Sequence, residues 1–300
     1  MNDKTVIILG GGYAGLNAFY ELKNYKKILL SEENEFTFYT AYLRNIILNK
    51  NNKYVTAIKT DLVDKVKEVD AERRIVKTIN GRELQADYLI LALGCNRDKQ
   101  LETIRKIIAK NKISLQAENY FDEYLAIQMA FYLKLLGKDV SYSGPILKWL
   151  GENISNLVRS TMEKYGIRIV EKSEDIIPSC EPNEVFGEFL PINYKLEYKN
   201  NVFAIGDLIK DYPKLGELAM REGIFVGKLL SGANNSVSFK PIYINIIDTG
   251  KGEAIHIRSD IPWGGNFISA KKSRLRSIMK RFIEKYYIIR KGKMGILYHL

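Results

Sequence analysis

Short apolar runs followed by longer segments of helical periodicity recur along the chain. The runs at 6–9, 88–93 and 202–205 are too short for helices and are typical of strands buried in a parallel sheet. A segment of helical periodicity follows the first of these runs, and further segments of this kind lie between the second and third runs. This alternation predicts an α/β protein built around parallel sheets.

The middle of the chain repeats the alternation. Strands are predicted at 113–116, 138–142 and 166–170, with helices at 120–136 and 152–165 between them. This βαβαβ order predicts a second Rossmann-like unit. We therefore expect an FAD-type domain formed by residues 1–110 and 195–240, a shortened second domain at 111–194, and a C-terminal module at 241–300 with a β segment and a helix.

The first strand runs into a glycine-rich turn. Gly10, Gly12 and Gly15 form G-x-G-x-x-G between the strand at 6–9 and a predicted helix that begins near Leu16. In this setting the glycines permit a tight turn, approach of the backbone to a pyrophosphate, and close packing of helix on strand. The amides at the helix start favour phosphate groups. A chance glycine turn is the alternative reading.

An acidic residue ends the next predicted strand. Glu32 follows the run Lys26–Ser31 and lies 22 residues after Gly10. A carboxylate at this position can accept a hydrogen bond from a ribose hydroxyl. The strand, loop, helix and acid in register predict a dinucleotide site and disfavour the chance turn.

The bulk composition is that of an ordinary globular protein. Of 300 residues, 46% are hydrophobic and 27% are charged, and no apolar run is long enough to cross a bilayer. The two histidines do not form a Cys/His cluster, so a metal site is not expected. The two cysteines, Cys95 and Cys180, fit a reducing compartment and argue against a disulfide framework.

The positive charge is concentrated near the C-terminus. The net charge is +11, and residues 270–293 hold ten basic residues and one acid. We predict a basic amphipathic helix at 270–291, whose apolar stripe either packs on the core or enters a membrane surface. The local charge is compatible with the membrane alternative. Nucleic acid is not expected, since no recognition module accompanies the charge.

Three motifs in this order resemble the FAD-binding signature of the pyridine nucleotide-disulfide oxidoreductase-like flavoproteins. They are the glycine loop with Glu32, the strand ending in Ala92-Leu93-Gly94, and the strand ending in Gly206-Asp207. The similarity is to the branch of type II NADH:quinone and sulfide:quinone oxidoreductases. It implies FAD as the cofactor, a quinone and a small-molecule electron donor as partners, and a site on the inner face of the membrane, reached from the cytoplasm. A homodimer is compatible with it.

The resemblance also assigns cofactor-binding positions. Gly10, Gly12 and Gly15, with Tyr13 and Ala14, would hold the pyrophosphate, and Glu32 the ribose. Val66 would offer backbone groups to the adenine. Ala92, Leu93 and Gly94 would pass close to the cofactor, Gly206 and Asp207 would bind the ribityl chain, and the helix around Ala219 would face the flavin.

The resemblance leaves the donor open. Relatives that oxidise NADH carry a second glycine loop, and here Gln116-Ala117-Glu118-Asn119 takes its place. Relatives that oxidise sulfide carry redox cysteines at positions that Cys95 and Cys180 do not match. These two cysteines are therefore either small buried residues or a pair that meets between the domains and exchanges electrons with the flavin. NADH bound in an unusual way and a sulfur compound both remain as donors.

Glu123 is the candidate for proton transfer. It falls where the quinone-reducing NADH enzymes place a glutamate facing the flavin, and the alternative is an exposed acid in the first turn of a helix. The sequence thus predicts an FAD-dependent oxidoreductase that passes electrons from a soluble donor to a quinone. An FAD-binding subunit or sensor without donor turnover is the first alternative, and a basic adaptor without cofactor is the second.

Overall fold

A computed structural model describes residues 4–232 and 237–299 of the chain. In chain order the helices are α1 Tyr13–Glu21, α2 Tyr39–Leu48, α3 Asp98–Ile108, α4 Glu123–Leu135, α5 Glu152–Lys164, α6 Gly216–Leu230 and α7 Arg274–Ile289. The strands are β1 Thr5–Leu9, β2 Lys26–Ser31, β3 Glu35–Thr37, β4 Val55–Ala57, β5 Leu62–Val63, β6 Val66–Asp70, β7 Ile75–Thr78, β8 Glu83–Gln85, β9 Tyr88–Leu91, β10 Lys112–Ala117, β11 Asp139–Tyr142, β12 Arg168–Ile169, β13 Asp175–Ile177, β14 Glu197–Lys199, β15 Val202–Ala204, β16 Tyr243–Asp248, β17 Ala254–Ser259 and β18 Ile268–Ser273.

A six-stranded sheet with the order β14-β15-β9-β1-β2-β5 forms the first layer. All its neighbouring pairs are parallel except β14 and β15. β1 and β9 lie in the middle and are buried on both faces, as their unbroken apolar runs predict. Their carboxyl ends, with those of β2 and β15, meet at one edge of the sheet, where ligands of such folds bind.

Helices α1 and α6 pack against each other unusually closely on this sheet. A Cβ on Gly223 would lie 2.1 Å from the carbonyl oxygen of Ala14, and one on Gly227 would lie 2.9 Å from that of Ala18. Only glycine allows this approach. The contact fixes the start of α6 beside the glycine loop.

The second sheet, β12-β11-β10-β13, is parallel throughout. It contains the predicted βαβαβ unit, β10-α4-β11-α5-β12, so the α/β class and the two Rossmann-like units are confirmed. The division of the chain into three domains stays a prediction. The first sheet nevertheless draws β1, β2, β5 and β9 from one side of the second unit and β14 and β15 from the other.

One predicted helix boundary is wrong. The helix predicted at 270–291 begins only at Arg274, because the preceding residues pair with β17 over six register positions as β18. β16, β17 and β18 form an antiparallel sheet, and α7 packs on it.

Candidate functional site

The three glycines of the first loop have different steric surroundings. Gly10 has a φ of +110°, and a Cβ there would lie 2.3 Å from the carbonyl oxygen of Ala92. A Cβ on Gly15 would lie 2.0 Å from the carbonyl oxygen of Gly10. A Cβ on Gly12 would meet no protein atom within 4 Å. The fold itself therefore requires Gly10 and Gly15, whereas Gly12 leaves open space beside the start of α1.

That open space belongs to a cavity of about 1120 Å³. Its walls come from the glycine loop, the ends of the central strands, the start of α6, and one face of the C-terminal sheet with α7. Every predicted cofactor residue except Gly15, which packs beneath the loop, lines it: Gly10, Gly12, Tyr13, Ala14, Glu32, Val66, Ala92, Leu93, Gly94, Gly206, Asp207 and Ala219. The structure thus places in one cavity residues that lie over two hundred positions apart.

The glycine loop is held from β2 as well as from β1. The amide of Gly10 donates to the carbonyl oxygen of Leu30 at 2.8 Å. The amide of Gly11 donates to the buried hydroxyl of Ser31 at 3.2 Å. Ser31 immediately precedes Glu32, so the same strand end that presents the acid also fixes the loop. Ser31 belongs to no motif that the sequence pattern reveals.

Asp207 carries the ion pair at the centre of the site. Its Oδ2 accepts a hydrogen bond from Nη2 of Arg97 at 2.8 Å. The Arg97 guanidinium also lies 5.1 Å from the centroid of the Tyr39 ring, and Asp207 raises the pKa of Arg97 against the effect of burial. The Tyr39 hydroxyl is buried and, among the described residues, has no hydrogen-bond partner. A ligand in the cavity can supply that partner.

The turn before Asp207 is fixed by α6. Gly206 has a φ of +74°, and its amide donates to Oε2 of Glu222 at 2.5 Å. Glu222 is only 1% exposed, and burial raises the pKa of its carboxyl well above the ordinary value. A buried carboxyl thus holds the strand-to-helix turn that aims Asp207 into the cavity.

Cys95 and Cys180 form a disulfide. The expectation of two free thiols without a disulfide is therefore wrong, while the alternative that the two cysteines meet is confirmed. Cys95 lines the cavity, 3.7 Å from Oδ2 of Asp207, and Cys180 is buried behind it. The bond joins the end of β9 to the segment after β13, where Asn96 and Glu181 also pair. Their redox role stays a prediction.

Glu123 does not line the cavity, so the structure does not bring it together with the predicted cofactor residues. It is only 2% exposed, so the alternative of an exposed acid is wrong. Its carboxylate accepts hydrogen bonds from the Tyr142 hydroxyl and from the amides of Ile146 and Leu147, at 2.8–2.9 Å. Ile146 and Leu147 both have positive φ. Glu123 therefore stabilises a strained turn, which a position near a helix start cannot reveal.

Charged groups on α7 line the cavity in its place. Lys280 is only 6% exposed, and its Nζ donates to Oε1 of Gln128 and to the carbonyl oxygen of Ile246, both at 2.9 Å. Burial lowers the pKa of Lys280 to about 8. One turn further on, Glu284 is ion-paired with the buried Arg44. The periodicity of the sequence provides no signal for these groups, because neither belongs to the predicted apolar stripe.

The opposite face of α7 is apolar and exposed. Leu275, Ile278 and Phe282 are 68%, 66% and 57% exposed. Met279 and Ile283 line the cavity, and Tyr287 is buried, so only part of the predicted stripe packs on the protein. We name Leu275, Ile278, Phe282 and Ile289 the outer face of α7.

The described residues contain neither a membrane-spanning helix nor a cluster of metal ligands. No helix within 4–232 and 237–299 combines the length and apolarity needed to cross a membrane. In the same ranges, no three His, Cys, Asp or Glu side chains are grouped so that they could hold a metal ion.

Known structures share this architecture at low sequence identity. Sulfide:quinone oxidoreductase from the hyperthermophilic bacterium Aquifex aeolicus is 17% identical, with a TM-score of 0.80 over 99% of this chain and 94% of that chain. NDH2 from Plasmodium falciparum is 13% identical, with a TM-score of 0.62 over 97% and 98%. NADH:rubredoxin oxidoreductase from Clostridium acetobutylicum is 18% identical, with a TM-score of 0.60 over 88% and 84%. At these identities the likeness shows the fold.

The N-terminal part of the chain matches a known family model. No curated protein matches the chain, but residues 4–121 match the model of the pyridine nucleotide-disulphide oxidoreductase family. This range contains the glycine loop, Glu32 and the strand end at Gly94. Residues 4–121 therefore form a domain of the type found in the pyridine nucleotide-disulphide oxidoreductases, and the predicted class of FAD-dependent oxidoreductase is confirmed.

Proposed function

We propose that the protein passes electrons from a soluble donor to a quinone through an FAD held in the cavity, while α7 rests on a membrane surface. The observation that carries the proposal is that two distant parts of the protein line the same cavity. The glycine loop forms one part of its wall, and the C-terminal sheet with α7 forms another. A donor, a cofactor and an acceptor can meet in such a space without leaving the protein.

The residues present suit FAD. The open space at Gly12 admits a pyrophosphate beside the amides that begin α1. Asp207 offers a carboxylate to hydroxyl groups, and the unpartnered hydroxyl of Tyr39 offers a donor. Bound FAD would supply the two-electron chemistry, while the protein supplies binding, orientation and electrostatics.

The cavity wall at α7 suits a quinone. Met279 and Ile283 give it an apolar surface, and Lys280 places an ammonium group among them. Reduction of a quinone to a quinol consumes two electrons and two protons. With a pKa of about 8, Nζ of Lys280 holds a proton at neutral pH and gives it up more readily than an exposed lysine does. We assign the role predicted for Glu123 to Lys280.

The outer face of α7 suits a lipid surface. Its apolar residues project away from the protein, and Arg274, Arg281 and Lys285 are exposed beside them. An apolar strip flanked by cations is the arrangement of helices that lie in the membrane interface. The resemblance to the branch of quinone oxidoreductases, which implies a site on the inner face of the membrane, supports the same placement.

The donor is the least constrained partner. At the end of β10, where a second nucleotide loop would lie, Asn119 accepts a hydrogen bond from Phe121 and Glu118 accepts one from Ser179. The amide of Phe121, near the start of the following helix, is therefore already engaged and is not available to a nucleotide phosphate. The disulfide at Cys95 lies against the cavity and offers a place for a sulfur donor to react.

Anaerobic stopped-flow spectroscopy tests the proposal. The purified protein is mixed with NADH, NADPH or sulfide, and bleaching of the flavin absorbance is followed. A quinone is then added. The proposal expects bleaching by at least one donor and rapid recovery with the quinone. A flavin that stays oxidised with all donors would favour the alternative of an FAD-binding subunit or sensor, and a protein that takes up no FAD would contradict both.

A further inference from the structure

Three cationic side chains meet on one wall of the cavity. Arg258 lies on β17, Lys271 on β18 and Arg276 in the first turn of α7, and all three line the cavity. We name them the cationic cluster. His256 lies among them, because it pairs in register with Lys271 and stands two residues from Arg258 on the same face of the sheet.

The charges of the cluster are not neutralised by the protein. In the ranges 4–232 and 237–299, no carboxylate oxygen lies within 4.0 Å of a nitrogen of Arg258, Lys271 or Arg276. The buried Nε of Arg258 has no hydrogen-bond partner there, and its guanidinium rests 5.4 Å from the centroid of Phe267. Nη1 of Arg276 makes only a weak contact with the sulfur of Met279, at 3.5 Å.

Glu217 is an acidic residue in the cavity that interacts electrostatically with the cluster, but its carboxylate already has hydrogen-bond partners. The positive charge of Arg258 acts on Glu217. The Glu217 carboxylate, however, accepts a hydrogen bond from Nε of Arg221 at 3.0 Å and one from the Tyr287 hydroxyl at 3.4 Å. It therefore does not serve as the counterion of the cluster.

The pKa of His256 is affected by the positive charge of the cluster. Burial, and then the charges of Arg276, Arg258 and Lys271, lower its pKa to about 4. The imidazole is thus neutral at physiological pH, and it adds a neutral hydrogen-bonding group to the three cations. Three like charges held together on a partly buried wall repel one another, and a bound anion removes that repulsion.

We propose that the cationic cluster binds the acidic group of an amphiphilic organic anion. The apolar body of the ligand would lie on the neighbouring wall, which includes Ile244, Ile246 and Ile283. Arginine and lysine side chains at a partly desolvated surface bind carboxylate, phosphate or ionised enol oxygens through charge-assisted hydrogen bonds. The proposal rests on the proposed function in one respect: it makes the electron acceptor an acidic molecule, such as a hydroxyquinone, and not a neutral quinone.

A matched pair of ligands tests the proposal. 2-Hydroxy-1,4-naphthoquinone is an anion at neutral pH, whereas 2-methoxy-1,4-naphthoquinone has the same ring without the charge. Binding of each to the oxidised holoprotein is measured by isothermal titration calorimetry. We expect the anion to bind at least about tenfold more tightly at low ionic strength, and we expect added salt to reduce the difference.

Single substitutions identify the residues. Arg258→Gln, Lys271→Gln and Arg276→Gln should each reduce the preference for the anion several-fold and leave binding of the methyl ether unchanged. Lys271 is exposed, so its substitution leaves the fold intact. Arg274→Gln is the matched control, because Arg274 is an exposed cation on the same helix that does not line the cavity. Equal affinity for the two ligands, or an equal loss in Arg274→Gln, would overturn the proposal.

Two further measurements distinguish a lipid from a free acid as the source of the acidic group, and this proposal from the proposed function. If phosphatidylglycerol vesicles displace the bound anion and phosphatidylcholine vesicles do not, the acidic group belongs to a lipid; if neither displaces it, the group belongs to a free acid. The flavin content of the same samples is read from their absorbance. A flavin-loaded protein without anion preference would end this proposal alone, whereas anion preference without FAD uptake would end the proposed function alone.

Discussion

The carboxylate of Asp207 and the guanidinium of Arg97 form an ion pair with an N–O distance of 2.8 Å at the wall of the cavity. Their side chains are 23% and 13% exposed, so water screens the pair incompletely. Asp207 belongs to a predicted motif, whereas Arg97 comes from the chain segment that follows Gly94. The two strand ends are thus joined by charge as well as by the sheet.

A double-mutant cycle separates the structural role of this pair from its role in binding. Asp207→Asn leaves the Arg97 charge without its partner, so the free energy of unfolding of flavin-free protein should fall by about 1–3 kcal/mol. Arg97→Met together with Asp207→Asn should recover part of this loss. Flavin affinity should stay low in both Asp207→Asn proteins, because the carboxylate is absent.

Denaturant unfolding and flavin titration measure the two quantities. Asp211→Asn is a suitable control, since Asp211 is exposed and lies outside the cavity. Flavin affinity restored by the second substitution would show that Asp207 acts only through Arg97.

The disulfide should stabilise the junction between the two sheets. Cys95 and Cys180 are 85 residues apart in sequence, and closing a loop of this length removes conformational freedom from the unfolded chain. Reduction with dithiothreitol should lower the free energy of unfolding by about 4.6 kcal/mol, in the loop-entropy description. The Cys95→Ser/Cys180→Ser protein should match the reduced protein and should not respond to the reagent. Identical denaturation midpoints before and after reduction of the natural protein would count against the prediction.

Lys280 should impose a pH limit on reduction of the acceptor. Its pKa is lowered to about 8 by burial, so the ammonium form predominates below that pH and is lost above it. The rate of flavin reoxidation by a quinone should therefore fall as the pH rises through about 8. Lys280→Gln should slow this step by about 10²-fold and abolish that dependence.

Rapid mixing of prereduced protein with quinone across the pH range measures the effect. Lys285→Gln, an exposed change on the same helix, should keep the profile of the natural protein. A profile that is unaltered in Lys280→Gln would remove this lysine from the proton path.

Part of this site could be read from the sequence, and the reasons differ from residue to residue. The glycine loop and Glu32 are local features, because strand, turn and helix follow one another within a few residues. Asp207 could be placed because it ends another strand of the same parallel sheet. These assignments need only short-range periodicity and the rule that ligands bind at the carboxyl ends of strands.

The remaining residues depend on contacts between distant segments. The sequence contains no signal that Cys95 and Cys180 lie on facing segments. Glu123 has the sequence position of an acid at a helix start, although its carboxylate binds the turn at Ile146. The periodicity of α7 marked its apolar residues correctly. It could not show that Lys280 and Glu284 face inward, since that follows from Arg44 and Gln128 on other elements.

The outer face of α7 should bind membranes through its apolar side chains. Leu275→Ser and Phe282→Ser remove exposed apolar surface without disturbing a buried contact, so the protein should stay folded. Their combination should reduce co-sedimentation with vesicles that contain anionic lipid by at least about tenfold. Ile176→Ser removes a 49% exposed isoleucine from another surface and should change nothing. Undiminished vesicle binding by the double variant would assign the membrane contact to another surface.

Flavin content in two glycine variants tests the central claim most directly. Gly12→Val places its Cβ in the open space of the cavity, where no protein atom lies within 4 Å, so the variant should fold with natural stability and yet purify without flavin absorbance. Gly15→Ala puts its Cβ against the carbonyl oxygen of Gly10 and should instead lose about 3 kcal/mol of stability. The measurement is the visible absorption spectrum of natural and Gly12→Val protein after incubation with FAD. A yellow natural protein and a folded, colourless variant are predicted, and a Gly12→Val protein that retains the full flavin spectrum would contradict the account.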